Sequence, residues 1–556
     1  MKALTSPPTL NGVIRFAITP YTLRLTALVW HDNVFTMKMM KNIPGYYGKA
    51  LPNVGASEDN GFYSPEHQQY NAQWFDDVLA GKYPRLRFHV RSIPTLDRLK
   101  FPLSALLSKE AVPLSPGSVT AISPTHHQKM VLIDYESPET AIGYVMGHNS
   151  ITDYWDTQAH KFRDPLRETF YTKDPLPVIQ TTPAPQPHFS GSSNGFPTGA
   201  IPTWYEHEDE IAKRSGAHVA KPYQDVSCRV TGSILFDLNH NFCQGWQESR
   251  PGSLPAEKIE NLSPLAIPAP VKRIWLNQES KKFIERRKKI PSQAFNLPKG
   301  KHDLQLMRTQ PMHGEKVIKE CYANMTRQML HYMFIQNQYF QYDPWADHLK
   351  QCVQRLRAAG YQRPIYIFIL TPTPESNRMD EPTYDLVSKL GQGETIRVKH
   401  DEVVEKAKKG KGSMPLTPKA MAKDGINVVM GSMWTCAEKP NSAEDYEEIY
   451  IHSKVAIVDD AAFTLGSANL NLRSMAIDSE LNVLSQAHEV AYQLRADLFK
   501  QATGKAGPEE FGDMGKTFEK WGEYMKENSW LRASTKKLKS QLMPFHVDRP
   551  YGKAVV

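Results

Sequence analysis

Two stretches of the chain repeat the same chemically active residue types at the same spacing. The pattern His-x-Lys-x4-Asp occurs at His127, Lys129 and Asp134 and again at His452, Lys454 and Asp459. A chain of ordinary composition shows one such pattern by chance with a probability of about a few per cent, so two copies are not plausibly accidental. A lysine two residues from an imidazole holds an anion beside a potential nucleophile or proton donor. The duplication therefore predicts two imidazoles that face each other across one anionic group.

The residues around each triplet predict how its side chains are displayed. In both copies the four residues between Lys and Asp are apolar, largely branched and too few for a helix, which favours a buried strand. Because side chains alternate along a strand, the His and Lys of each copy share one face, whereas the Asp points away. We therefore expect structural roles for Asp134 and Asp459, and the same alternation makes His126 a structural neighbour of His127.

A further carboxylate follows each copy at nearly the same distance. Asp156 lies 29 residues after His127, and Glu480 lies 28 residues after His452. An imidazole requires a carboxylate or carbonyl partner that fixes its tautomer and stabilises its charged form. Asp156 and Glu480 are thus the predicted partners of the two imidazoles.

The paired motif resembles the hallmark of the phospholipase D superfamily, and further segments extend the resemblance in the same order along the chain. They are Tyr154-Trp155-Asp156-Thr157 with His160, Arg163 and Asp164, then Pro222-Tyr223-Gln224-Asp225-Val226, Gln305-Leu306-Met307-Arg308-Thr309 and Phe334-Ile335-Gln336-Asn337-Gln338-Tyr339-Phe340. A glycine and then an asparagine follow each copy, as Gly147-His148-Asn149 and as Gly466-Ser467-Ala468-Asn469. Two residues depart from the family pattern: His148 replaces a small residue, and Gln336 stands where the larger enzymes commonly have Glu.

The resemblance implies an α/β fold of two α/β/α sandwich halves, related by a pseudo-dyad, with the active site at their interface. Alternating strand and helix patterns in the sequence also favour an α/β layer architecture. We expect residues 1–270 to form the first half, around the motif at 127–134, and residues 290–510 to form the second, around the motif at 452–459. Residues 511–556 are expected to be a C-terminal tail whose helix packs against the body.

Hydrophobic periodicity predicts individual elements. Strands are predicted at residues 13–17, 23–30, 86–90, 334–337 and 365–370, and helices at residues 64–80, 315–333, 346–360 and 488–503. The proline-rich stretch 172–203 is predicted to be a long surface loop.

The resemblance also implies cleavage of a phosphodiester, which requires neutralised phosphate oxygens, a nucleophile and an acid for the departing alcohol. The expected cationic and amide donors to the phosphate are Lys129, Lys454, Asn149 and Asn469. In the family the first-motif His is more often the nucleophile, so His127 is expected to form a phosphohistidine. His452 is then the general acid and base, and no metal or cofactor is expected.

The leading hypothesis is a phospholipase D that converts a glycerophospholipid into phosphatidic acid and free headgroup. Two alternatives from the same superfamily remain open, because a fold does not fix a substrate. One is a nuclease or other phosphodiesterase, and the other is a phosphatidyltransferase like cardiolipin synthase. A degenerate binding module is disfavoured, because both His-x-Lys pairs are intact.

Composition narrows these hypotheses less than the motifs do. The net charge of +8 suits an anionic phospholipid surface and a nucleic-acid backbone equally. The five cysteines are scattered, which favours neither a metal cluster nor a disulfide framework. No apolar run is long enough to span a bilayer, and the first residues lack the apolar core of a signal peptide. We therefore expect a protein made in the cytoplasm and not exported by the ordinary secretory route.

These features resemble the bacterial phospholipase D toxins that are delivered by type VI secretion. The resemblance implies an antibacterial effector that acts on a neighbouring cell's membrane from the periplasmic side. Its expected partners are a phospholipid membrane surface, a cognate immunity protein and a secretion spike protein, and no nucleic acid is expected.

Overall fold

A mixed β-sheet of eleven strands dominates the part of the chain that the structure describes. The structure, a computed structural model, describes residues 25–30, 86–91, 125–149, 155–164, 167, 221–251, 282–295, 302–374, 379–505 and 511–547. The strands are β1 (Leu25–Trp30), β2 (Leu86–Arg91), β3 (Met130–Ile133), β4 (Ile142–Met146), β5 (Tyr223–Gln224), β6 (Ser227–Val230), β7 (Arg250–Pro251), β8 (Leu304–Gln310), β9 (Glu315–Lys316), β10 (Tyr332–Asn337), β11 (Ile365–Leu370), β12 (Ile426–Cys436), β13 (Tyr446–Ile451), β14 (Lys454–Val458), β15 (Ala462–Gly466), β16 (Glu480–Ser485) and β17 (Leu542–Pro544).

Eight α-helices within the described residues are used below. They are α1 (Ile234–Gln247), α2 (Val317–Gln328), α3 (Asp343–Ala358), α4 (Asp380–Lys389), α5 (Arg397–Lys408), α6 (Pro418–Lys423), α7 (His488–Thr503) and α8 (Met514–Ala533). A short π-helix, Arg473–Ile477, precedes β16.

The large sheet has the strand order β5-β13-β12-β11-β10-β14-β15-β16-β8-β9, and β17 pairs with β12. Its centre is parallel, because β10 pairs with β11 and β11 with β12 in parallel register. Parallel neighbours require crossover connections. Here α3 joins β10 to β11, and α4, α5 and α6 lie between β11 and β12. Every residue of β10 is buried, as expected for a central strand that is covered on both faces.

Helices cover both faces of this sheet and produce two apolar cores. One core combines the sheet with α2, α3, α4 and α6. The other lies on the opposite face and contains side chains of α1, α7 and α8, including Phe499 and Trp521. The Trp521 ring lies 5.1 Å from the ring of Phe368 in β11. This helix–sheet–helix layering confirms the α/β class predicted from the sequence.

Residues around the first motif form a separate three-stranded antiparallel sheet with the order β3-β4-β6. This sheet repeats the unit β14-β15-β16 that surrounds the second motif, since the two units pair their strands in the same register. The register matches corresponding residues: Met130 with Val455, Val145 with Leu465, and Cys228 with Val483. The two units differ in the connection before the third strand, which is residues 147–226 in the first and residues 467–479 in the second.

The described residues of the C-terminal segment, 511–547, pack against the large sheet. The strand β17 is antiparallel to β12, and Trp521 and Met525 of α8 lie in the core. None of the helices in the described part of the chain is both long and apolar enough to cross a membrane.

Several predicted elements lie where the periodicity indicates, including the strand Ile365–Leu370 and the helix His488–Thr503. The prediction of a buried strand holds for β14 but is wrong for β3, because one face of β3 is open to solvent. On that face Val131 is 38% exposed and Ile133 is 42% exposed. The elements predicted at 13–17 and 64–80 and the loop predicted at 172–203 lie outside the described residues.

Candidate active site

Each motif histidine is held by backbone from the other half of the chain. The amide of His127 donates to the carbonyl oxygen of Ser479 at 2.9 Å, and the amide of His452 donates to that of Gln224 at 2.8 Å. His126 reinforces the first contact, since its Nδ1 lies 2.8 Å from Ser479 Oγ. The two motifs are therefore joined to the opposite half by reciprocal backbone hydrogen bonds.

The histidine side chains, like their backbone amides, form hydrogen bonds with residues of the opposite half. Nδ1 of His127 lies 3.0 and 3.1 Å from the two carboxylate oxygens of Glu480, and Nδ1 of His452 lies 2.6 Å from Asp225 Oδ2. Asp225 lies two residues before Ser227, and Glu480 two residues before its counterpart Asn482, so the carboxylates occupy equivalent positions. With Nδ1 committed to a carboxylate, Nε2 is the reactive nitrogen of each ring.

Asp156 does not have the position predicted for it. Its carboxylate accepts hydrogen bonds from Nδ1 of His160, Nη1 of Arg167 and the amide of Tyr223, and the partner of His452 is Asp225. The prediction relied on the offset from the motif, but residues 147–226 separate the first-half strands, so the equivalent carboxylate comes much later. Asp225 stands in the Pro222–Val226 segment that resembles the family, which was the available signal.

Glu480 is a fully buried carboxylate with a complete set of donors. Ser467 Oγ donates to it at 2.5 Å and Ser474 Oγ at 2.6 Å, in addition to the imidazole of His127. Hydrogen bonds of this kind compensate the loss of solvent around a buried charge. Ser474 lies in the π-helix, a local irregularity that often marks functional positions.

Asp225 reaches His452 because Gly147 leaves room for it. A Cβ atom added at Gly147 would lie 2.1 Å from Asp225 Oδ1, so any larger residue there would displace the carboxylate. The corresponding position in the second half is Ser467, which donates to Glu480 instead. Although burial acts to raise the pKa of Asp225, the neighbouring His452 and Lys454 hold it well below its usual range.

Both lysines turn back onto their own motif. Lys129 Nζ donates to the carbonyl oxygen of His127 at 3.0 Å, and Lys454 Nζ makes the same contact with His452. Burial lowers the pKa of Lys129 to about 8, against the attraction of Glu480 and Asp225. Lys454 is almost completely buried. The site therefore concentrates two cationic groups in little solvent, an arrangement that favours an anionic ligand.

The two imidazoles share one electrostatic environment but differ in access. Burial is the main cause that lowers the pKa of both, and the lysine of each half lowers the pKa of the other half's histidine. The side chain of His127 is 29% exposed, whereas that of His452 is 2% exposed. Both pKa shifts favour the neutral form of the ring.

The motif aspartates lie outside this cluster, as the alternation of the strand predicts. Asp459 follows β14 with a φ of 50° and accepts hydrogen bonds from the amides of Leu330, His331 and Tyr332 at 2.6–3.0 Å. Asp134 follows β3 with a φ of 51°, and its carbonyl oxygen accepts from the amide of Ser137. Both residues shape turns.

The two asparagines retain polar atoms for a ligand. Asn469 donates to Gln338 at 3.4 Å, and its buried Oδ1 has no hydrogen-bond partner in the described part of the chain. The side chain of Asn149 is half-buried. His148, one of the two departures from the family pattern, places Nδ1 2.6 Å from Ser227 Oγ. The other, Gln336, accepts from Ser453 Oγ at 2.7 Å.

This arrangement can perform nucleophilic and acid–base chemistry on an anion. It supplies two Nε2 atoms, two carboxylates that fix the rings, and two ammonium groups. Among the described residues, no group of three His, Cys, Asp or Glu side chains is placed to hold a metal ion.

Comparison with known proteins agrees with this geometry. Residues 331–501 match the family described as cardiolipin synthase, phospholipase D-like domain. Phospholipase D alpha 3 of Arabidopsis thaliana is 23% identical over 66% of this chain and 46% of its own length. Phospholipase D alpha 1 of Oryza sativa subsp. japonica is 24% identical over 64% of this chain and 45% of its own length. The chain thus spans somewhat under half the length of these plant relatives.

Solved structures with some likeness include two proteins of low identity. NucT from Helicobacter pylori is 13% identical, with a TM-score of 0.20, over 35% of this chain and 92% of that protein. The phosphatidylserine synthase of Haemophilus influenzae is 14% identical, with a TM-score of 0.27, over 56% of this chain and 64% of that protein. The matches to the family and to the plant enzymes support the membership of this chain in the phospholipase D superfamily of hydrolases and transferases.

Proposed function

We propose that the protein is a phospholipase D that hydrolyses the distal phosphodiester of glycerophospholipids. The observation that carries this proposal is the reciprocal pairing of His127 with Glu480 and of His452 with Asp225, beside the half-buried Lys129 and the buried Lys454. A diester anion needs cations for its oxygens, a neutral imidazole as nucleophile and a second imidazole as proton carrier. The likeness to plant proteins named phospholipase D supports a phospholipid substrate.

The proposed reaction has two steps. His452 takes a proton from solvent at Nε2 when the anionic substrate binds, so that it enters the first step as an imidazolium. Nε2 of His127 attacks phosphorus, the bond between phosphorus and the headgroup oxygen breaks, and His452 donates its Nε2 proton to the departing alkoxide. Water then attacks the phosphatidyl-histidine, His452 takes its proton, and the phosphorus–nitrogen bond breaks to release phosphatidic acid. Lys129 and Lys454, with Asn149 and Asn469, bind the non-bridging oxygens throughout.

The near-symmetry of the two His–carboxylate pairs also permits the reverse assignment, in which His452 is the nucleophile and His127 the acid. A substrate with a nitrophenol leaving group separates the two assignments, because nitrophenol departs without a proton. With His127 as nucleophile, the His452→Ala variant releases a burst of nitrophenol and accumulates an acid-labile phosphohistidine, and His127→Ala does neither. The opposite result for the two variants would exchange their roles.

Vesicles that contain phosphatidylcholine, phosphatidylethanolamine and phosphatidylglycerol test the substrate class. We expect phosphatidic acid and free headgroup from the native protein and none from His127→Ala. Single-stranded DNA in the same assay should remain intact. Cleavage of DNA without headgroup release would replace the phospholipase proposal with a nuclease.

A phosphatidyltransferase is the second candidate, and the description of the matching family as cardiolipin synthase favours it. Transfer uses the same phosphohistidine and differs only in the acceptor, which is an alcohol in place of water. Phosphatidylglycerol vesicles without added alcohol distinguish the two activities, because the headgroup hydroxyl of a second lipid can serve as the acceptor. Phosphatidic acid as the main product supports the hydrolase, and cardiolipin as the main product supports the transferase.

The biological setting that we propose is an antibacterial effector delivered by type VI secretion, with an immunity protein and a spike protein as partners. The resemblance of the paired motifs to those bacterial toxins is its support. Expression in the cytoplasm should be harmless, whereas the same chain directed to the periplasm by an added signal peptide should lyse the cell unless His127 is replaced by Ala. Toxicity confined to the cytoplasm would overturn this setting.

A further inference from the structure

A buried polar cluster lies next to the reacting groups without belonging to them. Its centre is Asp156, whose carboxylate accepts from His160 Nδ1 at 2.8 Å, from Arg167 Nη1 at 2.8 Å and from the amide of Tyr223 at 2.9 Å. The side chains of Asp156, His160 and Arg167 are all nearly inaccessible to solvent. A carboxylate buried to this degree is stable only while its donors remain in place.

His160 connects this cluster to two other elements. Its Nε2 lies 2.8 Å from Gln224 Oε1 in β5 and 2.8 Å from Nε2 of Gln501 in α7. The residue has a φ of 45°, a left-handed conformation that side chains other than glycine adopt only when their surroundings impose it. Because one nitrogen cannot donate to Gln224 and accept from Gln501 at once, the ring, which donates from Nδ1 to Asp156, links the Asp156 segment to β5 when Nε2 carries a proton.

Gln224 carries the connection on to His452. Its carbonyl oxygen accepts from the amides of His452 and Ser453 at 2.8 and 3.1 Å. Its side-chain Nε2 donates to Gln336 Oε1 at 3.3 Å, and the same oxygen accepts from Ser453 Oγ. The next residue is Asp225, which holds Nδ1 of His452. A displacement of Gln224 would therefore move both the backbone and the carboxylate that fix His452.

We propose that Asp156 and His160 are positioning residues that act on His452 through Gln224 and Asp225. Asp156 anchors Tyr223 through its amide, and His160 anchors Gln224 through its side chain, so together they hold β5 from two sides. His127 has no such dependence, because Glu480 takes its donors from Ser467 and Ser474. This proposal depends on the proposed function in one respect only, which is that His452 takes part in the reaction.

A double-mutant cycle between Asp156→Asn and Asp225→Asn tests the route of this effect. Misplacement of a reacting group by about 1 Å costs up to about 100-fold in rate, so we expect Asp156→Asn alone to lower kcat for headgroup release about 10- to 100-fold. In the Asp225→Asn background it should cost less than about twofold, because the group that it positions is already lost. Losses that multiply would overturn the proposal.

The His160→Asn variant distinguishes the proposed positioning effect from a simple failure to fold. Asparagine tolerates the left-handed backbone and can still donate to Asp156, but it is too short to reach Gln224. We expect it to reproduce the kcat loss and the non-additivity of Asp156→Asn with KM nearly unchanged. A native kcat in His160→Asn would rule out the link through Gln224.

Proton NMR of the protein with 15N-labelled histidine provides a readout that does not depend on activity. The Nδ1–H signal of His452, which is hydrogen-bonded to Asp225, should shift or broaden in Asp156→Asn, while the His127 signal remains. In Glu480→Gln the pattern should reverse. An unchanged His452 signal in Asp156→Asn would overturn the proposal even if phospholipids were not the substrate, so failure of the proposed function remains distinguishable.

Discussion

Asp225 and Glu480 make the same contact with an imidazole in different surroundings. Glu480 accepts from two serine hydroxyls as well as from His127, whereas Asp225 accepts from His452 and from the amide of Val226. Each carboxylate keeps Nδ1 of its ring protonated, so that Nε2 is the nitrogen that reacts. The catalytic contribution of either residue is therefore measurable by a substitution that keeps its size and removes its charge.

The Asp225→Asn substitution should lower kcat for headgroup release about 100- to 10,000-fold, because the tautomer and orientation of His452 are no longer fixed. Single-turnover release of choline from phosphatidylcholine vesicles measures the effect, and circular dichroism checks the fold. Asp237→Asn on the exposed side of α1 is the matched control and should remain within about twofold of the native rate. A native rate in Asp225→Asn would exclude a catalytic role for the His452–Asp225 pair.

The lowered pKa of Lys129 predicts an alkaline limit to activity. Because this pKa is about 8, the ammonium group is present below pH 8 and is lost as the pH rises through that value. We expect kcat/KM, which reports the free enzyme, to fall over the same range. In Lys129→Arg the cation persists, since guanidinium stays protonated in proteins.

In Lys129→Arg the fall of kcat/KM at alkaline pH should therefore occur at a higher pH than in the native protein, whatever the maximum value of kcat/KM. Lys161→Arg, at an exposed position, should keep the native profile. An alkaline limb that stays near pH 8 in Lys129→Arg would assign that limb to another group.

The sequence indicates which motif residues lie near each other, but it indicates only in part which groups orient the two imidazoles. Spacing within eight residues brings His127 and Lys129 together, because the local strand geometry is fixed by covalent structure. The partner of His452 depends on which strands meet in space, and the long connection before β6 removes any constant offset. Asp156 satisfied the offset of 29 residues and instead binds His160.

At the scale of elements, the aspartates at equivalent positions of the two motifs make different contacts. Asp459 binds three amides at the start of β10 and so attaches β14 to its neighbour in the sheet. Asp134 terminates β3 and is exposed. The periodicity of residues 127–134 and 452–459 is alike, so the sequence could not reveal that β14 is central and β3 is partly exposed.

The Asp459→Asn substitution should lower the free energy of unfolding by about 2 kcal/mol, because amide donors lose a charged acceptor. Asparagine is chosen since it tolerates the φ of 50°. Asp134→Asn, the matched change at the equivalent turn, should cost less than about 0.5 kcal/mol. Chemical denaturation measures both values, and equal losses would contradict the unequal roles.

At the scale of the whole molecule, neither half contains a complete site. His127 depends on Glu480 of the second half, and His452 depends on Asp225 of the first. The sequence indicated two halves around two motifs, but it could not show that β5 joins the large sheet beside β13 or that β17 joins it beside β12. These pairings connect residues far apart in the chain, and periodicity reports only local structure.

Because one chain supplies every group, activity should not be restored by mixing inactive variants. We expect a mixture of His127→Ala and His452→Ala, refolded together, to remain as inactive as either protein alone in choline release. The native chain refolded in the same way is the control for recovery. Restored activity in the mixture would mean that two chains exchange halves.

The pairing of each imidazole with a carboxylate of the opposite half also constrains how the two halves can evolve. After a duplication, one copy is normally free to accumulate substitutions while the other keeps its function. In this chain each half instead supplies the carboxylate that binds the imidazole of the other half. Recombination that replaced one copy with a distant homologue would therefore bring in a histidine and an acid that had never been selected together. Lineages of this protein should consequently inherit the two copies as a single block.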